Sequence, residues 1–151
     1  MKYHFKYKKA KEGGYWAQCV EISGCITQGD TMDELQVNME DALNTMLDEP
    51  GESKLVFELP HAIVRGRNIL KVAVRPNVAF AFLLRQVRRR AGVTQTKAAK
   101  MLGFKNIYSY QRLESARNTN PRLDLIVRVK AVFPDFDLEM IVSDARHDRA
   151  G

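Results

Sequence analysis

Between Thr94 and Glu114 the chain reads TQTKAAKMLGFKNIYSYQRLE, a run of amides, hydroxyls and cations set among small apolar residues. Ala98, Ala99 and Leu102 recur at i, i+1 and i+4, a narrow stripe that lets a second helix approach closely. Thr94 suits an N-cap, because its hydroxyl can accept from an orphan amide of the first turn. Gly103 falls where a helix end needs positive φ. A second helix is expected from Asn106, with Ile107, Tyr110 and Leu113 facing inward. That leaves Asn106, Tyr108, Ser109, Gln111 and Arg112 pointing outward. Such groups form the bonds that distinguish base pairs in a major groove. The stretch is a helix-turn-helix signal. Gln111 and Arg112 are the first candidates for base contact, with Asn106, Tyr108 and Ser109 beside them. Gln95, Lys97 and Lys105 are placed to hold phosphates.

Other chemistries find less support. A two-metal nuclease needs several converging carboxylates. Asp30, Asp33 and Glu34 do cluster, but at an expected helix start, where the dipole and cap bonds attract acids anyway. Two cysteines, Cys19 and Cys25, and three scattered histidines make no zinc site. No Ser-His-Asp or Cys-His grouping is visible, so no catalytic residue, metal or cofactor is expected. Tyr15 and Trp16 are neighbours on one expected strand, so one ring faces a core and the other is left for a partner. Met32, Met39 and Met46 could line a ligand pocket, which would suit a ligand-controlled repressor, though such a stripe usually fills a core.

These side chains need elements to carry them. Tyr3, Phe5 and Tyr7 alternate with His4, Lys6 and Lys8, the period of a half-buried strand. Lys11 to Gly14 supplies a hairpin turn, Tyr15 to Val20 returns, and Cys25 to Gln28 forms a third short strand. Thr31 and Glu34 make a capping box for a helix whose apolar face runs from Met32 to Leu47. Leu55, Phe57 and Leu59 alternate as a fourth strand, giving β-β-β-α-β over residues 1–60. Residues 61–75 read as a connector in which Ile69 to Val74 could form a further strand and, in a dimer, pair with its symmetry mate. Phe80, Leu83, Leu84, Val87 and Ala91 then space one amphipathic helix before the motif. Asn120 and Pro121 suit an N-cap and N1 for a helix carrying Leu123, Ile126 and Val129, and Leu138 with Ile141 suggests a last short one. The fold class is α+β, with an all-α domain of about five helices over residues 76–143 and a frayed tail at 144–151.

Charge separates the halves. Residues 1–60 hold 6 Lys and Arg against 11 Asp and Glu, a net −5, and residues 61–151 hold 18 against 7, a net +11. Basic surface is the footprint of phosphate binding, and Arg85, Arg88, Arg89 and Arg90 stand just before the motif. No apolar run is long enough to span a bilayer and no signal peptide is evident, which places the chain in the cytoplasm with no membrane partner.

The run GGYWAQCVEISGCITQGDTMDEL is similar to the N-terminal signature of HicB-type antitoxins. There a Gly-Gly-Tyr hairpin leads through an acidic, proline-flanked loop to Gly-Cys, then to Gly-Asp-Thr and a capped helix. The chain keeps Gly13, Gly14, Tyr15, Gly24, Cys25, Thr27, Gly29, Asp30 and Thr31. Where the family usually has Pro-Asp-Leu-Pro, it has Val20-Glu21-Ile22-Ser23. The resemblance implies a partial RNase-H-like module without nuclease activity. It also implies a HicA-type, mRNA-cleaving toxin as partner, and repression of the operon encoding both. Tyr15, Trp16 and Glu21 are the toxin-binding candidates, Glu21 for a cationic group in the toxin's active site. The second half resembles phage-repressor (XRE-like) domains, in which a Gln opening the second helix clamps a phosphate, and Gln95 matches it. The stretch from Gly103 to Leu113 is about one residue longer than usual there. A homodimer or higher oligomer on a palindromic operator is the expected assembly.

Overall fold

The computed structural model describes residues 1–49 and 55–143. It divides into two compact units, one built on Met1–Leu47 and continuing to Arg75, the other starting at Pro76. The expected tail at 144–151 lies outside the described residues, as do positions 50–54.

The first unit is a four-stranded antiparallel sheet with one helix. Strands β1 (Lys2–Lys9), β2 (Tyr15–Cys19), β3 (Ile26–Gly29) and β4 (Ile69–Ala73) lie in the order β3-β2-β1-β4. Register puts Phe5 opposite both Cys19 and Leu70, Tyr3 opposite Val72 and Tyr7 opposite Ala17. Tyr3, Phe5, Ala17, Cys19 and Val72 are buried on this face. Helix α1 (Met32–Leu47) packs against the sheet, its side chains Leu35, Met39, Leu43 and Leu47 fully buried. Met39 is thus core, and Met32 and Met46 are half-buried.

Helix α1 begins as expected, with Glu34 N–H donating to Thr31 Oγ1 at 3.1 Å. The Glu34 carboxylate reaches one residue further out than a standard capping box, accepting from Asp30 N–H at 2.9 Å. Just before it, Gly29 lets the helix start lie directly on β3. A Cβ there would stand 2.5 Å from Leu35 N and 2.8 Å from its Cα, both backbone atoms. Gly29→Ala should therefore cost about 1–3 kcal/mol through overpacking, read as a lowered thermal midpoint. An unchanged midpoint would contradict this close approach.

The fourth strand is not where alternation placed it. Leu55, Phe57 and Leu59 form no strand, although Glu58 O accepts from the Tyr3 hydroxyl at 2.7 Å. The place beside β1 is taken by Ile69–Ala73, which pairs within the chain, so on that side it cannot join a symmetry mate. Both segments carry apolar residues, but Ile69–Ala73 brings β-branched Ile69 and Val72, with Val74 beyond, and the last two are buried. Asn44 ties the end of β4 to α1, its Oδ1 accepting from Arg75 N–H at 2.8 Å.

The second unit comprises α2 (Pro76–Arg90), α3 (Gln95–Met101), α4 (Ile107–Gln111), α5 (Leu123–Val132) and α6 (Glu139–Val142). Helix α2 is buried well beyond the expected stripe: every residue from Val78 to Arg88 is buried, the off-stripe positions being apolar in its first half (Ala79, Ala81, Phe82) and polar in its second (Arg85, Gln86, Arg88). Its arginines correct a second expectation. Arg85 and Arg88 are buried, so they are no part of a phosphate-binding surface, whereas Arg90 is exposed. Helix α5 starts two residues later than Asn120-Pro121 suggested, with Arg122 as its N-cap. Leu125 and Val129 face its core, while Leu123 is 81% exposed. Among the described residues no helix is long and apolar enough to cross a membrane.

Candidate functional site

Helices α3 and α4 are positioned from below by one buried carboxylate. Glu114 accepts from Arg88 Nε, from Arg88 Nη2 at 3.2 Å, from the Tyr110 hydroxyl at 2.6 Å and from Gln95 Nε2 at 2.8 Å. These bonds join α2, α3 and α4 to a single side chain. Burial opposes the Arg88 charge, but Glu114's bonds and charge outweigh it and hold the guanidinium above its ordinary pKa. Burial, then the Glu114 charge, push the Tyr110 hydroxyl well above the usual tyrosine range. In the sequence Glu114 is no more than the last residue of the motif stretch. The missed signal was a lone acid downstream of a four-arginine cluster.

The turn between the two helices is fixed locally. Gly103 sits at φ +81°, Phe104 N–H donates to Ala99 O at 2.9 Å and Gly103 N–H to Lys100 O at 3.0 Å. That is a Schellman ending. Thr94 caps α3, accepting from Lys97 N–H at 3.2 Å. Asn106 caps α4, its Oδ1 accepting from Ser109 N–H at 3.0 Å and Ser109 Oγ at 3.2 Å.

This sorts the candidate residues. Tyr110 and Leu113 are buried, as the spacing required. Tyr108 is 73% exposed, and Arg112, Lys97 and Lys105 are exposed. Asn106 and Ser109 are committed to the cap. Gln95 and Gln111 are half-buried and bonded to each other at 3.1 Å. Gln95 also donates to Glu114, so its side chain serves the helix pair before any outside group. Lys100 and Arg117, absent from the candidate set, are exposed in the same unit.

In the first unit the candidates scatter. Tyr15 lies on the helix-covered face, in edge contact with Tyr7 at 6.2 Å between ring centroids. Trp16 lies on the opposite, open face, with Lys8 Nζ 5.6 Å from its ring centroid. Glu21 is only 7% exposed. It accepts from His4 N–H at 3.0 Å and from His61 N–H at 3.0 Å, and lies 2.8 Å from His4 Nδ1. With three contacts from His4 and His61, this carboxylate locks the loop after β2 and is not presented to an outside cation. Beside it, Cys19 N–H donates to Cys25 O at 2.9 Å. Both thiols are free and buried. A hydrogen bond between the two thiol groups raises Cys19, with burial adding to it, and lowers Cys25.

The unit is polarised. Exposed Asp33, Glu34, Glu40 and Asp41 lie on α1, while Lys6, Lys8 and Lys71 are exposed on the open sheet face. An acidic surface and the Trp16 ring therefore face opposite ways. On the acidic side a groove of about 410 Å³ runs between α1 and β4, lined by Asp33, Val37, Glu40, Leu70 and Lys71 among others. Val37 is 60% exposed there. Asn68 O accepts from Tyr7 N–H and Val74 N–H donates to Met1 O, so those two residues bond inward. By alternation, the backbone groups of Ile69, Lys71 and Ala73 face the outer edge, and the sheet ends at β4.

No protein-family model matches the chain. Antitoxin HicB of Escherichia coli strain K12 is 30% identical over 103 residues, covering 68% of this chain and 73% of that protein. Antitoxin HicB of Escherichia coli O157:H7 matches to the same extent. UPF0150 protein ssl0738 of Synechocystis is 40% identical over 40 residues, 26% of this chain and 56% of its own. A match of 103 residues is longer than the whole span to Arg75, so it reaches into the helical unit. At that identity and coverage the chain belongs to the HicB antitoxin family.

Proposed function

We propose that the first unit neutralises a HicA-type, RNA-cleaving toxin and that the helical unit represses the operon encoding both. The observation that carries this is the HicB match, which spans more than two thirds of each chain. On this reading the first unit is a partial RNase-H-like module used for binding, and α3–α4 is a helix-turn-helix. An RNA-binding toxin is expected to be basic, so the acidic side of α1 steers it. The groove beside β4 supplies what charge alone does not: an exposed apolar side chain, Val37, and an open strand edge. Copurification of the toxin, on co-expression with the neighbouring small reading frame, tests the partner.

On DNA, α4 offers Tyr108 and Arg112 to the major groove while Lys97 and Lys105 hold phosphates. One such helix covers few base pairs, so a dimer on half-sites roughly 34–36 Å apart is expected. Arg112→Ala should cost about 1–3 kcal/mol of operator affinity and relax specificity. Lys97→Ala should weaken all sequences alike and reduce the salt slope by about 0.9. Operator titrations at several salt concentrations check both. Unchanged operator affinity of Arg112→Ala would remove it from the interface.

A second reading, a ligand-controlled repressor, draws on an open groove of about 390 Å³ on the helical unit. It is lined by Phe80, Thr119, Ile126, Leu138 and Ile141 among others. An effector there would replace the toxin as the signal, and no small protein would then copurify.

A further inference from the structure

The open face of the sheet has no role in the function proposed above, yet it is unlike an ordinary solvated surface. Lys8 stands opposite Trp16 across β1 and β2, and Lys6 opposite Gln18. Gln18 in turn stands opposite Ile26 on β3, and Ile26 is 57% exposed. Lys71 extends the same face onto β4, next to His4. Among the described residues none of Lys6, Lys8 and Lys71 is in an ion pair with a carboxylate. The unit's exposed acids on α1 lie on the other side of the sheet. Lys8 and Lys6 thus flank one large aromatic ring on this face, and Lys71 lies further off, beyond β1 and opposite the buried His4.

We propose that this face binds single-stranded RNA. Lysines supply a sequence-independent attraction to phosphates. A tryptophan on a sheet supplies a stacking platform that accepts any base, and the Lys8 ammonium over its ring is carried on a flexible stem that can swing to a phosphate. Gln18, between Lys6 and Ile26, offers both a donor and an acceptor to a base edge. Duplex DNA does not fit, because its bases are already stacked on one another and leave no free face for the Trp16 ring. An acidic peptide would satisfy the lysines but leave the ring without a planar partner. RNA is the single-stranded nucleic acid abundant in a cell. This binding stands independently of the toxin and operator readings.

Trp16 is the chain's single tryptophan, so its fluorescence reports this face alone in the full-length protein. Titration with a 12-nucleotide oligouridylate at low salt should quench Trp16 saturably, with a salt slope that falls by about 0.7 for each lysine removed. The double variant Lys6→Ala/Lys71→Ala, at exposed positions, should bind about 10-fold more weakly, with its thermal midpoint unchanged. Duplex DNA should leave Trp16 unquenched. Absence of quenching by oligouridylate would overturn the proposal, as would equal quenching by the double variant. Equal quenching by a polyglutamate peptide would also overturn it, and would give the face to an acidic protein partner.

Discussion

Glu114→Gln is expected to destabilise the helical unit by about 3–5 kcal/mol, because it leaves the buried Arg88 guanidinium without a counter-charge. Glu114 and Arg88 are both almost completely buried, and Tyr110 and Gln95 depend on the same carboxylate. Tyr110→Phe removes a single hydrogen bond to that charged group and should cost only about 1.5–3 kcal/mol. Thermal unfolding of the full-length variants separates the two. The larger loss should bring weaker operator binding, since the network holds α3 against α4. A Glu114→Gln protein within about 1 kcal/mol of the parent would mean that the ion pair does not organise this unit.

The second large effect concerns where the first unit ends. The β-β-β-α-β reading of the sequence ends the first unit at residue 60, but a fragment stopping there lacks β4. It would strip β1 of one of its two neighbours and expose the side of Tyr3 and Phe5 that Val72 and Leu70 cover. Backbone groups along β1 would lose their partners as well, each costly to leave unpaired. Residues 1–60 should therefore show no cooperative unfolding transition, whereas residues 1–75 should unfold as one unit. Circular dichroism of both fragments on heating decides this. A folded 1–60 fragment would show β4 to be dispensable.

Much of this was legible beforehand, for local reasons. The β1–β2 hairpin, the Thr31 cap, the Gly103 turn and the inward set of α4 depend on residues close in sequence, where periodicity and turn chemistry act directly. What was not legible was long-range. Two segments, 55–59 and 69–73, both fitted a strand beside β1, and only packing decided between them. Arg85 and Arg88 read as surface charge, because nothing local reveals that Glu114, 26 residues beyond Arg88, folds back to meet them. Glu21 read as a presented acid, because its partners His4 and His61 lie 17 and 40 residues away. The charge of −5 was correct as a sum but silent about sides. Folding sends exposed acids to α1 and lysines to the open sheet face, so the aromatic anchor and the acidic surface expected to act together came apart.

The central claim is a division of labour, and the most direct test is a rescue assay with residues 1–75. Cells expressing the cognate toxin would receive either the full chain or this fragment, with an operon-promoter reporter read in parallel. Protection by both, with repression by the full chain alone, is the predicted result. A folded 1–75 fragment that fails to protect, while the full chain succeeds, would contradict it.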